Sequence, residues 1–152
     1  MRIAGLLDVD FADGDSFHPA RNLAQMSAGI ALTDADRRPW LAAIRQRGQR
    51  ELENGNSLIV ACSALKKAYR EQLAIGCDRT WFVYLHGTRD LIGSRQASRA
   101  GHFMPSSLID SQFATLEDPR GERGVVTVDV DQPPDAVAAE AVNLLHRAWE
   151  DL

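Results

Sequence analysis

Two carboxylates flank a glycine near the start of the chain, at Asp13, Gly14 and Asp15. Glycine lets the backbone turn sharply between them. Carboxylates in such a turn can accept hydrogen bonds from substrate hydroxyls, or orient and deprotonate a hydroxyl that attacks a phosphoryl group. The same tripeptide suits a turn closed by local side-chain hydrogen bonds, and the residues alone leave both interpretations open. His18, before Pro19, either donates to a substrate oxygen or caps the next helix.

Two pairs of cationic residues are each spaced four apart, which places both members on one face of a helix. Lys66 and Arg70 follow Ser63 at a predicted strand-to-helix junction, where backbone N–H groups can hold an anion. They can bind a carboxylate or phosphate together, or form a solvated surface. Arg95 and Arg99 suit a clamp on transferring phosphates, or favourable placement of cations at the C-terminus of a helix.

Two further polar segments have a structural and a functional interpretation. Asp131–Pro133 follows a predicted strand and either contacts a base or starts the last helix. Asp34 and Asp36 precede Trp40, and we interpret them as acidic residues that favour a helix N-terminus. Cys62 lies in an apolar run and is expected to be a buried, reduced thiol. No Cys and His cluster is present, so no metal-ligating residue is predicted.

Strands alternating with helices must position these groups. The pattern predicts an α/β fold, a parallel sheet with helices on both faces, and ligands beyond the carboxyl ends of the strands. The candidate residues fall at those ends. Strands are predicted over residues 9–12, 57–62, 80–86 and 124–130. Helices are predicted over 1–7, from 19, and over 34–54, 64–75, 89–99, 105–116 and 134–150.

Composition restricts the class of protein. The 152 residues suit a single domain, and a formal charge of −4 with a pI near 5.5 argues against nucleic acid or an anionic membrane as the main partner. No apolar run approaches the roughly 20 residues of a membrane span, and no signal-peptide pattern opens the chain. We therefore expect a cytoplasmic protein.

Taken together, several segments resemble the gluconate kinases (gluconokinases), small enzymes of the P-loop kinase fold. The first is Asp13-Gly14-Asp15-x-x-His18-Pro19-x-x-Asn22-x-x-x-Met26-x-x-Gly29, which continues through Leu32-x-Asp34-x-Asp36-Arg37-x-Pro39-Trp40-Leu41. The others are Cys62-Ser63-Ala64-Leu65-Lys66-x-x-Tyr69-Arg70, His102-Phe103-Met104-Pro105 and Asp129-x-Asp131-Gln132-Pro133. The resemblance extends over nearly the whole chain.

The resemblance implies ATP-dependent phosphorylation of D-gluconate to 6-phosphogluconate with Mg²⁺, and a homodimer. It implies that Asp15 lies near the acceptor hydroxyl, with Asp13 as its companion and Lys66 as a further catalytic group. Residues implied to hold gluconate are His18, Arg70 and His102, with Lys66 beside them. Residues implied to contact ATP are Arg95 and Arg99 in a lid around residues 89–117, and Asp131, Gln132 and Pro133 beside the adenine.

One departure from the family is large. Its members begin with a buried strand and a phosphate-binding loop, G-x-x-x-x-G-K-[ST], whereas Met1 lies inside the helix that should follow and no Gly-Lys pair occurs in the 152 residues. We therefore expect an N-terminally incomplete fold, two strands that lack a partner, and turnover reduced by orders of magnitude. The alternatives are a late-starting or truncated kinase, a non-catalytic relative that binds gluconate or a partner, and a kinase of another small hydroxy acid.

Overall fold

The computed structural model describes residues 1–98 and 106–150. Its strands are β1 (Asp10–Asp13), β2 (Leu58–Ala61), β3 (Phe82–His86) and β4 (Val125–Asp129). Its α-helices are α1 (Arg2–Leu7), α2 (Ala20–Ser27), α3 (Asp34–Glu53), α4 (Lys67–Ala74), α5 (Arg89–Ala97), α6 (Ser106–Thr115) and α7 (Pro134–Glu150), and a 3-10 helix spans Gly14–Phe17.

All of these strands pair in parallel, which confirms the α/β class. β1 pairs with β2 in the register Asp10↔Leu58 to Asp13↔Ala61, and β3 pairs with β4 from Phe82↔Val125 to His86↔Asp129. The strands thus form two two-stranded sheets. The contacts also divide the chain into two compact units, essentially residues 3–80 and the residues from Trp81 onward. The single domain over residues 1–152 stays a prediction.

Strands in both sheets are less buried than the sequence predicted. Leu58 to Val60 are only half-buried and Ala61 is exposed, although the continuous apolar run predicted a strand covered on both faces. In β3, Leu85 is 46% exposed. A two-stranded sheet has few neighbours to cover it, so apolar sequence alone does not bury these strands.

Helix α3 supplies the core of the first unit. Thr33 caps it in a reciprocal capping box, because the Thr33 hydroxyl accepts from the Asp36 N–H while the Asp36 carboxylate accepts from the Thr33 N–H. Trp40 and Leu41 are at most 1% exposed, and Ile44 is 5% exposed. The predicted stripe stops there, since Leu52 is 38% exposed.

Helix α4 begins later than predicted. We expected it from residue 64 with Ser63 as its cap, but it begins at Lys67 and Lys66 is the N-cap. Ala64 has φ +34°, which no helix accommodates, and Arg70 Nη1 donates to the carbonyl oxygens of Ala64 (2.8 Å) and Leu65 (3.2 Å). Lys66 and Arg70 therefore do not lie on one helical face as the spacing suggested.

Helix α7 forms the core of the second unit and has the predicted bounds. Its buried residues are Val137, Ala138, Ala141, Val142 and Leu145, a stripe with helical spacing. The helix packs against β4, whose Val128 is fully buried. No helix within residues 1–98 or 106–150 combines the length and the apolar character needed to cross a membrane.

Candidate active site

The Asp13–Asp15 turn is closed by local side-chain hydrogen bonds, which is one of the two interpretations left open by its sequence; the functional one stays a prediction. Asp13 caps the 3-10 helix, and its Oδ1 accepts from the backbone N–H of Asp15 at 3.1 Å. Ser16 Oγ donates to the Asp13 carbonyl at 2.6 Å. The Asp15 carboxylate takes no part in this local bonding, and its side chain is 57% exposed. Asp13 therefore closes the turn, while the Asp15 carboxylate is exposed.

Gly14 is required because the turn approaches β2 closely. A Cβ on Gly14 would lie 2.3 Å from the carbonyl oxygen of Ala61, closer than any real contact. On the other side, the indole N–H of buried Trp40 donates to the Gly14 carbonyl at 2.7 Å. The turn is therefore held between the end of β2 and helix α3, which sets the position of Asp15.

His18 is buried beside this turn. Its side chain is 3% exposed, and its ring stacks on Trp40 with centroids 4.3 Å apart and an angle of 11° between the planes. Nε2 lies 4.0 Å from Asp15 Oδ1. Burial lowers the pKa of His18, the Asp15 charge raises it and the Arg37 charge lowers it, with a net decrease. The ring is therefore neutral at pH 7.

Lys66 is held by an acidic partner far away in the sequence. Its Nζ donates to both carboxylate oxygens of Asp34, at 2.8 and 2.9 Å, and the Tyr69 hydroxyl donates to Oδ1 of the same carboxylate. The bond to Lys66, then that to Tyr69, lowers the pKa of Asp34, and the bond to Asp34 raises the pKa of Lys66. Both groups are thus charged at pH 7.

Residues near this turn also include a thiol. Cys62 is a free cysteine that follows β2, and burial raises its pKa to about 11, with the Asp15 charge as a smaller cause. The thiol is protonated at pH 7 and is a poor nucleophile. Cys62 is a free thiol, but it is half-buried rather than buried as expected, and it is left out of the candidate chemistry.

The second unit brings two of the predicted ATP-contacting residues together. Arg95 Nη2 donates to the Gln132 carbonyl at 2.7 Å, and the Asp131 N–H donates to Asp129 Oδ1 at 2.8 Å. The Pro133 carbonyl accepts from Val137 in the first turn of α7. Whether these residues contact ATP stays a prediction. Arg99 and His102 lie outside the described residues.

Sequence reasoning missed three residues at this site. Asp34 lies in the first turn of α3, as predicted, but it also binds Lys66, which the sequence did not indicate. Arg37 acts electrostatically on His18 and Asp34, and its guanidinium lies 5.9 Å from the Tyr69 ring centroid. Asn22 is 3% exposed and contacts His18. All three lie in the long first motif, which was the available signal.

The described parts of the chain, 1–98 and 106–150, contain no group of three His, Cys, Asp or Glu that is suited to a metal ion. Around Asp15 the described residues provide an exposed carboxylate and a neutral histidine whose Nε2 lies 4.0 Å from Asp15 Oδ1. Such a set can orient a hydroxyl and accept its proton.

The chain is similar to several characterised proteins, although no family model matches it. The thermoresistant gluconokinase of Escherichia coli (strain K12) is 38% identical over 146 residues, which cover 95% of this chain and 83% of that protein. The gluconokinase of Gluconobacter oxydans (strain 621H) is 40% identical over 140 residues, which cover 92% and 79%.

Solved structures show the same similarity. The crystal structure of a gluconokinase from Sinorhizobium meliloti 1021 matches with a TM-score of 0.88 and 46% identity, over 98% of this chain and 83% of that one. An unliganded sugar kinase from Janibacter sp. HTCC2649 matches with a TM-score of 0.87 and 39% identity, over 95% and 84%. These similarities in sequence and fold confirm the resemblance seen in the motifs: the chain belongs to the gluconokinase family, kinases of the P-loop fold.

Proposed function

We propose that the chain transfers the γ-phosphoryl group of ATP to a hydroxyl of D-gluconate, giving 6-phosphogluconate and ADP. The observation that carries this proposal is the exposed Asp15 carboxylate at the carboxyl end of β1. Its turn is held by the close approach of Gly14 to Ala61 and by the Trp40 hydrogen bond. Membership of the gluconokinase family supports the choice of acceptor and donor.

In the proposed reaction, Asp15 accepts a hydrogen bond from the attacking hydroxyl and takes its proton. The hydroxyl oxygen bonds to the γ-phosphorus as the bond to the ADP oxygen breaks. Asp13 holds the turn through its bond to the Asp15 N–H. Lys66 supplies positive charge for the gluconate carboxylate or the transferring group, and Asp34 and Tyr69 orient its ammonium group.

The remaining assigned residues have narrower proposed roles. His18 and Arg70 hold gluconate, Arg70 in part indirectly because it is 4% exposed and bonds the carbonyls of Ala64 and Leu65. Arg95, in contact with the Gln132 carbonyl, contacts ATP together with Asp131, Gln132 and Pro133. His102 and Arg99 are proposed from the family resemblance, for gluconate and the phosphates respectively. A cytoplasmic location and a homodimer are likewise proposed from sequence.

Mg²⁺ is proposed to neutralise charge on the phosphates. It prefers oxygen ligands, retains several waters and usually takes one or two protein carboxylates together with substrate phosphates. The carboxylate of Asp13, on an exposed residue, is an oxygen donor of this kind. The residues present therefore fit an ion that is bound mostly by ATP and water.

The second proposed function, kept as the alternative, is a non-catalytic relative that binds gluconate without using ATP. Calorimetry distinguishes the two functions, because the kinase binds both ligands whereas the alternative binds only gluconate. A panel of other small hydroxy acids tests the acceptor.

The decisive variant is Asp15→Asn, which keeps the size of the side chain and removes the base. In a protein extended by a G-x-x-x-x-G-K-[ST] loop, a coupled assay of gluconate-dependent ADP formation should show that the substitution lowers turnover by about 10²–10⁴-fold. Asp8→Asn is the matched control, because Asp8 is exposed and has φ +54°, which Asn tolerates. Near-normal turnover of Asp15→Asn would refute the proposed base. Gluconate binding with no ADP formation by the wild-type chain would establish the alternative.

A further inference from the structure

Asn22 is the buried residue of helix α2, and its side-chain amide contacts two groups. Nδ2 donates to the backbone carbonyl of Asp36 at 2.8 Å. The same nitrogen lies 3.3 Å from Nδ1 of His18. The two neighbours determine which way the buried amide is oriented, because its nitrogen must face groups that accept a hydrogen bond.

These contacts determine where His18 carries its proton. A backbone carbonyl only accepts, so the amide nitrogen of Asn22, rather than its oxygen, must face Asp36. That nitrogen has two hydrogens and no acceptor capacity, so its second hydrogen points to His18 Nδ1, which must accept. A neutral imidazole that accepts at one nitrogen carries its proton on the other. His18 is therefore the Nε2–H tautomer.

The residues around His18 orient its Nε2–H group toward Asp15. Stacking on Trp40 holds the plane of the ring, and a flipped ring would lose the acceptor that faces Asn22. Nε2 then lies 4.0 Å from Asp15 Oδ1. The charged groups that act on the ring are Asp15, from the 3-10 helix, and Arg37, from α3, and they act in opposite directions.

We infer that Asn22 is a positioning residue that keeps His18 as a hydrogen-bond donor beside the Asp15 carboxylate, so that the pair recognises one hydroxyl of the sugar acid. This rests on the proposed function. His18 Nε2 and Asp15 Oδ1 are 4.0 Å apart, so a hydroxyl oxygen about 2.8 Å from each of them sees the two atoms at an angle of about 90°. Such a hydroxyl donates to Asp15 while it accepts from His18. Carbonyl and ammonium groups cannot do both.

The tautomer is tested on the wild-type chain without any ligand. Two-bond ¹H–¹⁵N correlations of ¹⁵N-histidine-labelled protein distinguish Nε2–H, Nδ1–H and doubly protonated rings, and a His18→Gln variant assigns the His18 signals among the four histidines. We expect Nε2–H at pH 7. A wild-type His18 that is Nδ1–H or doubly protonated at pH 7 overturns the inference.

Two Asn22 variants test the positioning. In Asn22→Asp the carboxylate accepts from Nδ1, so His18 should become Nδ1–H or doubly protonated at pH 7. In Asn22→Leu the ring loses its fixed orientation, and the Kd for gluconate measured by calorimetry should rise about tenfold. Asn143→Asp, at an exposed position of α7, controls for the change in charge and should alter neither readout. Urea denaturation confirms that each variant is folded.

The outcomes separate this inference from the proposed function. The expected tautomer together with weaker gluconate binding by Asn22→Leu supports both. The expected tautomer with unchanged gluconate affinity in a folded Asn22→Leu variant refutes the positioning role while the proposed function stands. A wild-type chain that shows the Nε2–H tautomer but binds neither gluconate nor ATP refutes the proposed function, and with it the recognition of a sugar-acid hydroxyl.

Discussion

Replacing Gly14 by alanine tests whether the close approach of the turn to β2 positions the carboxylate. The added Cβ would lie 2.3 Å from the Ala61 carbonyl oxygen and 3.4 Å from Cys62 Cα. Real Cβ contacts do not fall below 3.0 Å, so the turn and the end of β2 must separate by at least 0.7 Å. Both neighbours are backbone atoms, so no side-chain rotation relieves the clash.

The cost follows from what has to move. Overpacking of this kind costs about 1–3 kcal/mol, and separation of the last ladder pair, Asp13↔Ala61, adds about 1 kcal/mol for a weakened hydrogen bond. We therefore expect Gly14→Ala to lower the free energy of unfolding by about 2–4 kcal/mol. With a urea m-value of about 2 kcal/mol/M, the middle of the usual range, the midpoint should fall by about 1–2 M.

The assay is urea denaturation followed by tryptophan fluorescence, with gluconate affinity measured below the transition. Gly48→Ala is the matched control, because Gly48 lies within α3 and an added Cβ meets nothing within 4 Å. That substitution should stabilise the protein by about 0.5–1 kcal/mol through helix propensity. A Gly14→Ala midpoint at or above that of the wild type would refute the close approach, and unchanged gluconate affinity would refute its role in positioning Asp15.

Three further predictions concern the same unit. Trp40→Phe removes the hydrogen bond to the buried Gly14 carbonyl and should lower the free energy of unfolding by about 1–3 kcal/mol in urea melts; an unchanged midpoint would contradict that bond. Thr33→Ala removes the N-cap of α3 and should cost about 0.5–2 kcal/mol, whereas Thr33→Ser should cost much less. In a Cys77→Ser background, the Cys62 thiol should resist alkylation at pH 8. The contribution of this thiol to the free energy of unfolding should be complete below about pH 9, and it should be lost as the pH rises through about 11. Alkylation of folded protein at the rate of unfolded protein at pH 8 would contradict the raised pKa.

Local signals in the sequence predicted those elements whose causes are local. The bounds of α7 follow from its apolar stripe and from Pro134 in its first turn, and the start of α3 follows from the capping residues. Helix α4 was placed three residues early because the left-handed Ala64 is stabilised by Arg70, which lies six residues further on. No propensity scale includes such a contact.

The candidate site was predictable to a similar extent. The turn that holds Asp15 and the apolar run that holds Cys62 could be inferred from their neighbours in sequence, although Cys62 is half-buried rather than buried. The Asp34–Lys66 pair joins residues 32 positions apart, and the sequence offered a sufficient local explanation for Asp34, so its partner could not be inferred. The burial of Asn22 could not be predicted, because a polar residue in a short exposed helix usually faces solvent.

Because Lys66 is paired with Asp34, an anion that binds to the Lys66 ammonium group competes with the Asp34 carboxylate. Lys66 Nζ already donates to both oxygens of a carboxylate, so an arriving anion must share or displace that carboxylate. The electrostatic gain is the difference between the attraction of Lys66 to the anion and its attraction to Asp34. Solvent and salt weaken both of these attractions. An anion that binds at Lys66 would therefore gain little affinity from this ammonium group.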